Sequence, residues 1–498
     1  MIIKKKSTVL VILDGFGYSK KKKYNAIFHA RMPHLDAWLK KYPHTLLQAS
    51  GTAVGLPKGY IGNSEVGHMT IGAGRIITQD ITRVLKAIDD GSFFTNKTLV
   101  SLLKKLAHKK NKALHIMGLL SDGGVHAHQK IAYALITLAK QMGIKKVYIH
   151  AFLDGRDVAP QSAAIYLKKL DTVCKKLKIG TLGSITGRFY AMDRDKHWKR
   201  TQQAYDCLTE KQPTTFSSWQ DALNYYYKKD ITDEFIPPTQ LDNTSIIKPG
   251  DGVIFFNIRP DRARQLTEAF TEKKFNHFPV KKLNLTWFAT MTDYDKNLKA
   301  TVIFKPLSIK NTLKDILEKH HKTMFSIAET EKYAHVTYFF NGGSEKKLKD
   351  EKRVLIPSIP ARNYVNHPCM SAPQITKAVL ISLKKDPCDF YLINYANADM
   401  VGHSGNFKAT VKAVECLDYQ LAQLYHEVVE KCGGTLYITA DHGNAEEMFD
   451  EKTGQPKTAH TNNPVIFLMI EKGVKKKKLS LKKLSDIAPF ILKHMGII

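Results

Sequence analysis

Thr8-Val-Leu-Val-Ile-Leu-Asp-Gly15 runs six strand-forming residues straight into a carboxylate and a glycine. A run this apolar, without polar alternation, is buried on both faces, which is typical of a strand inside a parallel sheet. The same pattern recurs along the chain. Ala113-Leu-His-Ile-Met117 leads to Ser121-Asp-Gly-Gly-Val-His126, and Val147-Tyr-Ile-His-Ala-Phe152 leads to Asp154-Gly-Arg-Asp157. Val253-Ile-Phe-Phe256 leads to Arg259-Pro-Asp-Arg262, Phe390-Tyr-Leu-Ile-Asn-Tyr395 leads to Asp399, and Thr435-Leu-Tyr-Ile-Thr439 leads to Asp441-His442. Stretches such as Gln129–Met142 and Ala409–Cys432 lie between them, with apolar residues at helical spacing. The predicted fold class is therefore α/β, a largely parallel sheet flanked by helices. Ligands in such folds gather beyond the carboxyl ends of the strands, and that is where these polar motifs fall.

The 498 residues are enough for two or three domains. Hydrophobic content of 43% and charged content of 24% exclude disordered and collagen-like classes. The longest uncharged apolar runs, such as Pro464–Ile470, fall well short of the ~18–20 residues of a membrane span. Met1 to Leu13 imitates a signal peptide, with Lys4–Lys6 before an apolar stretch, but the stretch is short and enters Asp14 without a small-residue cleavage site. It is read as a first strand, and the protein as cytoplasmic. Six cysteines (Cys174, Cys207, Cys369, Cys388, Cys416 and Cys432) include no C-x-x-C pair, so reduced, buried thiols are expected.

The formal charge is +30. Clustered Lys could bind nucleic acid through counterion release. Here the excess is spread as short runs (Lys4–Lys6, Lys20–Lys23, Lys475–Lys478), with no zinc-finger spacing and no aromatic RNA-binding motif. A solvated basic surface is the expected reading, with no specific nucleic-acid partner and no membrane. The exposed Lys runs also argue against a large self-interface near them, so a monomer is expected. A basic field would attract a small phosphorylated, carboxylated substrate.

Asp14, Asp441 and His442 follow strands directly, and Asp399 and His403 are one helical turn apart if that segment is helical. His460 adds a further imidazole. Each alone could be a helix cap or loop hydrogen-bonder. Together at strand ends, carboxylates and imidazoles suit manganese or zinc, and six of them suffice for two metals. Ser64, in Gly62-Asn-Ser-Glu-Val-Gly-His68, reads as the start of a helix, where amide N–H groups favour an alkoxide or phosphoserine. The middle of the chain instead holds Arg156, Arg188, Arg194, Arg259 and Arg262 with His126 and Asp157. Guanidinium forks match carboxylate and phosphate, and a carboxylate among them could carry a proton to or from a substrate hydroxyl. This contrast predicts a metal-binding domain from residues 1–80 and 310–498, interrupted by an inserted domain at 81–309.

Ten motifs in chain order resemble one family, the cofactor-independent phosphoglycerate mutases of the alkaline phosphatase superfamily. They are Val11–Gly17, Gly62–His68, Leu119–His126, Phe152–Asp157, Ile185–Tyr190, Asn257–Arg262, Glu329–His335, Asn394–Asp399, Thr439–Gly443 and Ala459–Thr461. The resemblance implies an alkaline-phosphatase-like domain carrying two Mn2+ and an inserted phosphotransferase domain. One manganese would be held by Asp399, His403 and His460, the other by Asp14, Ser64, Asp441 and His442. Ser64 would take the phosphoryl group from 3-phosphoglycerate, with Lys332 balancing its charge. Glycerate would turn among His126, Arg156, Asp157, Arg188, Arg194, Arg259 and Arg262 before the group returns to the 2-hydroxyl, with no need of 2,3-bisphosphoglycerate. Two small departures, His197 for the usual Arg and Ala127 for the usual Ser, fall outside the implied ligands. A related hydrolase or phosphopentomutase would share the metal ligands but lack the arginine-rich insert. A basic nucleic-acid binder that had lost catalysis should lack ligands that are all present here.

Overall fold

The structure, a computed structural model, describes residues 5–212, 216–307, 309–451 and 454–498. The chain divides into two compact units, residues 1–79 with 308–498, and residues 80–307. Each is built on a seven-stranded sheet.

In the first unit the strands lie in the order Glu351–Ile356, Met324–Glu329, Phe390–Tyr395, Thr8–Leu13, Thr435–Thr439, Val465–Ile470 and His44–Leu47. The first five are mutually parallel; Val465–Ile470 is antiparallel to both its neighbours. Thr8–Leu13 sits in the middle, with Leu13 opposite Tyr395 and Ile12 opposite Thr439. Val9 to Leu13 have no exposed surface, as the unbroken apolar run requires. Parallel strands put their carboxyl ends on one edge, so the residues just after Leu13, Glu329, Tyr395 and Thr439 are brought side by side.

The second unit orders Thr239–Gln240, Thr181–Gly187, Val147–Leu153, Leu114–Leu119, Gly252–Phe255, Trp287–Thr290 and Thr301–Val302. Only the short Thr239–Gln240 strand is antiparallel. Phe152 pairs with Leu119 on one side and Thr186 on the other, which aligns the loops that follow. The α/β class and the largely parallel sheets are as expected. The helical stretches fall at Gln129–Gln141 and Phe407–Tyr425, the latter continued by a π-helical turn at His426–Lys431.

One expectation is corrected. Cys369 and Cys416 form a disulfide, with their Cα atoms 5.7 Å apart. Cys207, Cys388 and Cys432 are buried thiols, and Cys174 is half-buried. The pair is 47 residues apart, so no local spacing announces it; the loop before the Ala372–Lys385 helix meets the Phe407–Tyr425 helix only in the folded chain. No helix among the described residues is long and apolar enough to cross a membrane.

Candidate active site

The helix Ser64–Ala73 begins at Ser64 itself, and Asn63 caps it by accepting from the Val66 N–H. That leaves the serine hydroxyl free of capping duty. Ser64 Oγ donates to Asp14 Oδ1 at 3.0 Å, lies 2.9 Å from His442 Nε2, and accepts from Lys332 Nζ at 2.7 Å. Lys332 also donates to Asp14 Oδ1 at 2.6 Å and Asp399 Oδ2 at 2.7 Å. Gly15 lets this cluster close: its φ is +73°, and a Cβ there would stand 2.7 Å from the Asp399 Cα.

Asp399 lies on the short helix Asn397–Gly402, with His403 just after it. His403 Nε2 is 3.2 Å from Asp399 Oδ1, and His460 Nε2 is 3.1 Å from the same oxygen and 3.0 Å from His403 Nε2. The ligand atoms of Asp399, His442 and His460 fall within 4.8 Å of one another, as do those of Asp14, Asp441 and His442. All seven positions assigned to metal by resemblance are thus brought to one place.

Burial by itself would raise the Asp14 and Asp399 carboxyls, but Lys332 with His442 at Asp14, and with His403 at Asp399, holds both well below the usual range. Burial works against the charged Lys332, yet Asp14, Asp399 and Asp441 raise it above an ordinary lysine. His442, opposed by burial, is lifted to about 9 chiefly by Asp441 and Asp14.

These donors fit divalent metal ions. Asp441 Oδ2 is buried without a hydrogen-bond donor, 3.1 Å from a His68 Nδ1 already bonded to the Ser64 carbonyl. Each of the three inward histidines sets its Nδ1 near a backbone carbonyl: His403 on Thr458, His460 on Gly62 and His442 on Gly443. In the neutral ring that favours the tautomer whose Nε2 lone pair faces inward, which is how imidazoles are oriented for a metal.

In the inserted unit, Arg188 is buried and its Nη1 bridges Asp154 Oδ1 at 2.7 Å and Asp157 Oδ2 at 2.6 Å. Arg194 and Arg259 both pair with Asp261, at 2.9 and 3.2 Å. Arg156 pairs with Glu234 at 3.2 Å, and Arg262 donates to the Met192 carbonyl. The carbonyl of buried His126 accepts from the Ile258 and Arg259 N–H groups. Burial, then the charges of Arg188, Arg259 and Arg262 against Asp261, push the His126 imidazole down to about 3. Burial and the nearby Arg194 and Arg188 also lower Arg262. These mutual effects place the expected anion-binding residues around one region.

Other residues that shape the two sites were not singled out from sequence. His68 bonds the Ser64 carbonyl at 2.8 Å and meets Asn394, which in turn donates to Asp14 Oδ2. Asn444 donates to Asp399 Oδ1. Asp154 and Asp261 organise the arginines. His68 was readable in principle, since it lies four residues after Ser64 on the same helix face. A third carboxylate–imidazole group, Asp193, Asp195 and His197, is a loop brace: Asp193 takes the Asp195 and His197 N–H groups, Gln265 and Arg200.

Fold and site together define an α/β enzyme with a serine among side chains that could hold metal ions and an insert that gathers arginines. The family described as BPG-independent PGAM N-terminus matches residues 84–296. A Legionella pneumophila (strain Corby) protein named 2,3-bisphosphoglycerate-independent phosphoglycerate mutase is 49% identical over 491 residues, covering 98% of this chain and 95% of its own. One of the same name from Clostridium novyi (strain NT) is 48% identical over 501 residues, covering 99% and 97%. A crystal structure of Leishmania mexicana phosphoglycerate mutase at low cobalt concentration aligns with a TM-score of 0.77 and 31% identity, over 99% of this chain and 96% of that one. The chain belongs to the 2,3-bisphosphoglycerate-independent phosphoglycerate mutases, a family of isomerases.

Proposed function

We propose that the protein interconverts 3-phosphoglycerate and 2-phosphoglycerate through a phosphoserine at Ser64, without 2,3-bisphosphoglycerate. The observation that carries this reading is the Ser64 hydroxyl, uncapped at a helix start and ringed by Asp14, His442 and Lys332. Asp399, His403 and His460 would hold one divalent ion, and Asp14, Ser64, Asp441 and His442 the other, with Mn2+ as the expected metal. When bound, such ions lower the pKa of the serine hydroxyl and neutralise phosphoryl charge.

Ser64 Oγ forms the bond to phosphorus while the bond from phosphorus to O3 breaks, and the proton given up by the serine ends on O3. Lys332 Nζ offsets charge on the moving group. Free glycerate is held by its carboxylate and hydroxyls among His126, Arg156, Arg188, Arg194, Arg259 and Arg262 of the insert, residues 81–309. On return, the 2-hydroxyl oxygen bonds phosphorus while the bond from phosphorus to Ser64 Oγ breaks; Asp157 takes the proton of that hydroxyl, and Ser64 Oγ regains a proton. A cytoplasmic monomer is the expected working form, the scattered Lys runs arguing against a large self-interface near them.

The test is a coupled assay from 3-phosphoglycerate with no bisphosphoglycerate present. Chelator-stripped protein should be inactive and recover with Mn2+, and Ser64→Ala should abolish turnover with its circular dichroism unchanged. Turnover retained by Ser64→Ala would exclude the phosphoserine route.

A further inference from the structure

Lys314 has no exposed surface. Its Nζ donates to Ser326 Oγ at 2.7 Å, to the Val336 carbonyl at 2.7 Å and to Glu351 Oε1 at 2.6 Å. Ser326 lies six residues before Lys332 on the strand Met324–Glu329, and Val336 lies four residues after it, so the two bonds grip the catalytic lysine's segment from both sides.

The Val336 bond fills a specific gap. Residues His335–Phe339 form a π-helical turn. The Phe340 N–H reaches back to the His335 carbonyl and the Asn341 N–H to the Thr337 carbonyl, so the Val336 carbonyl between them is passed over by both. Lys314 supplies its donor. The turn rests on the helix that begins at Ser64: a Cβ on Gly72 would stand 2.0 Å from the Phe340 carbonyl oxygen.

Stability alone does not account for this lysine. Burying an ammonium is costly, and apolar replacement of a buried ion pair is often neutral or stabilising. Glu351 would keep Arg353, whose Nε donates to it at 2.8 Å. We propose that Lys314 is a positioning residue, which holds the wide turn after Lys332 and so aims the Lys332 ammonium at Ser64, Asp14 and Asp399. This rests on the proposed role of Lys332.

Lys314→Met and Glu351→Gln separate the alternatives, because both remove the ion pair and only the first removes the donor to Val336. Lys314→Met should lower kcat about 10-fold or more, the scale of a small misplacement at a reacting centre. KM and apparent Mn2+ affinity should stay near the parent's, while Tm falls because the buried Val336 carbonyl and Glu351 lose a donor. Glu351→Gln should keep kcat. In a Lys332→Arg background, Lys314→Met should add little, because both act through one group. Unchanged kcat in Lys314→Met, an equal fall in Glu351→Gln, or full additivity with Lys332→Arg would each overturn the proposal. If Lys314→Met does not fold, Lys314→Gln, too short to span the three partners, is read the same way. Full turnover in Lys332→Ala would instead remove the role assigned to Lys332 itself.

Discussion

The insert carries a buried chain of polar groups that should make it acid-sensitive. Asp251 Oδ2 is 3.2 Å from His115 Nε2, His115 Nδ1 is 3.0 Å from His150 Nε2, and His150 Nδ1 is 2.9 Å from Ser184 Oγ. A carboxylate only accepts, so His115 Nε2 carries a proton; a neutral His115 then accepts from His150 Nε2, and His150 Nδ1 accepts from Ser184. One added proton can be taken up by reversing the last two bonds. A second cannot, since two N–H groups would then face one another between the rings. Burial accordingly pushes His115 below its usual value, against Asp251 and with some help from Lys248. It pushes His150 well below, with His115 adding to the effect. In the unfolded chain both titrate near 6.5, so below that pH the unfolded state binds more protons and stability falls with pH. At pH 5.0, about 1.5 units below, one imidazole held neutral costs about 2 kcal/mol. Trp198, Trp219 and Trp287 lie in this unit and only Trp38 in the other, so urea unfolding followed by tryptophan fluorescence reports mainly on the insert. His150→Phe should be less stable than the parent at pH 7.5. Its further loss between pH 7.5 and 5.0 should be about 2 kcal/mol smaller than the parent's, a difference in which other titrating groups cancel. Equal losses in the two proteins would refute the argument.

Arg188→Met should lower the insert's stability by about 3–5 kcal/mol in the same urea assay, because it strands the buried Asp154 carboxylate without its cation; an unchanged midpoint would mean that Arg188 is not what neutralises it. Thiol titration of denatured protein should count four free cysteines before reduction and six after, whereas six at the outset, in protein prepared without reductant, would remove the Cys369–Cys416 bond.

The α/β architecture was legible because unbroken apolar runs such as Thr8–Leu13 can be buried in few ways, and because the chemistry begins where each run stops. Proximity among Asp14, Asp399, Asp441 and His442 follows from the same feature, since neighbouring parallel strands end on one edge. What escaped is what depends on tertiary register. Ser64 was legible as the start of a helix, but not that Asn63 takes the capping role and leaves the serine hydroxyl free of it. Asp261 was visible only as a spacer in Arg-Pro-Asp-Arg, although Arg194 reaches it from 67 residues away. Lys314 was one of many lysines until the π-helical turn left the Val336 carbonyl open to it. The Cys369–Cys416 bond joins segments with no shared periodicity.

The carboxylate cluster of one unit and the arginine cluster of the other are electrostatic opposites, and this separates a mutase from a hydrolase more sharply than either cluster alone. Asp14, Asp399 and Asp441 are buried with Lys332 beside them, a set whose charge favours cations. If Ser64 takes a phosphoryl group as proposed, hydrolysis would need nothing more, because water could then remove it. The insert instead holds five arginines against Asp154, Asp157, Asp261 and Glu234. Burial and the nearby guanidiniums disfavour protonation of His126 there, so its imidazole adds little positive charge to the cluster. Such a cluster has no use in releasing phosphate. It does have one if the dephosphorylated product, still an anion through its carboxylate, must be retained long enough to present its other hydroxyl.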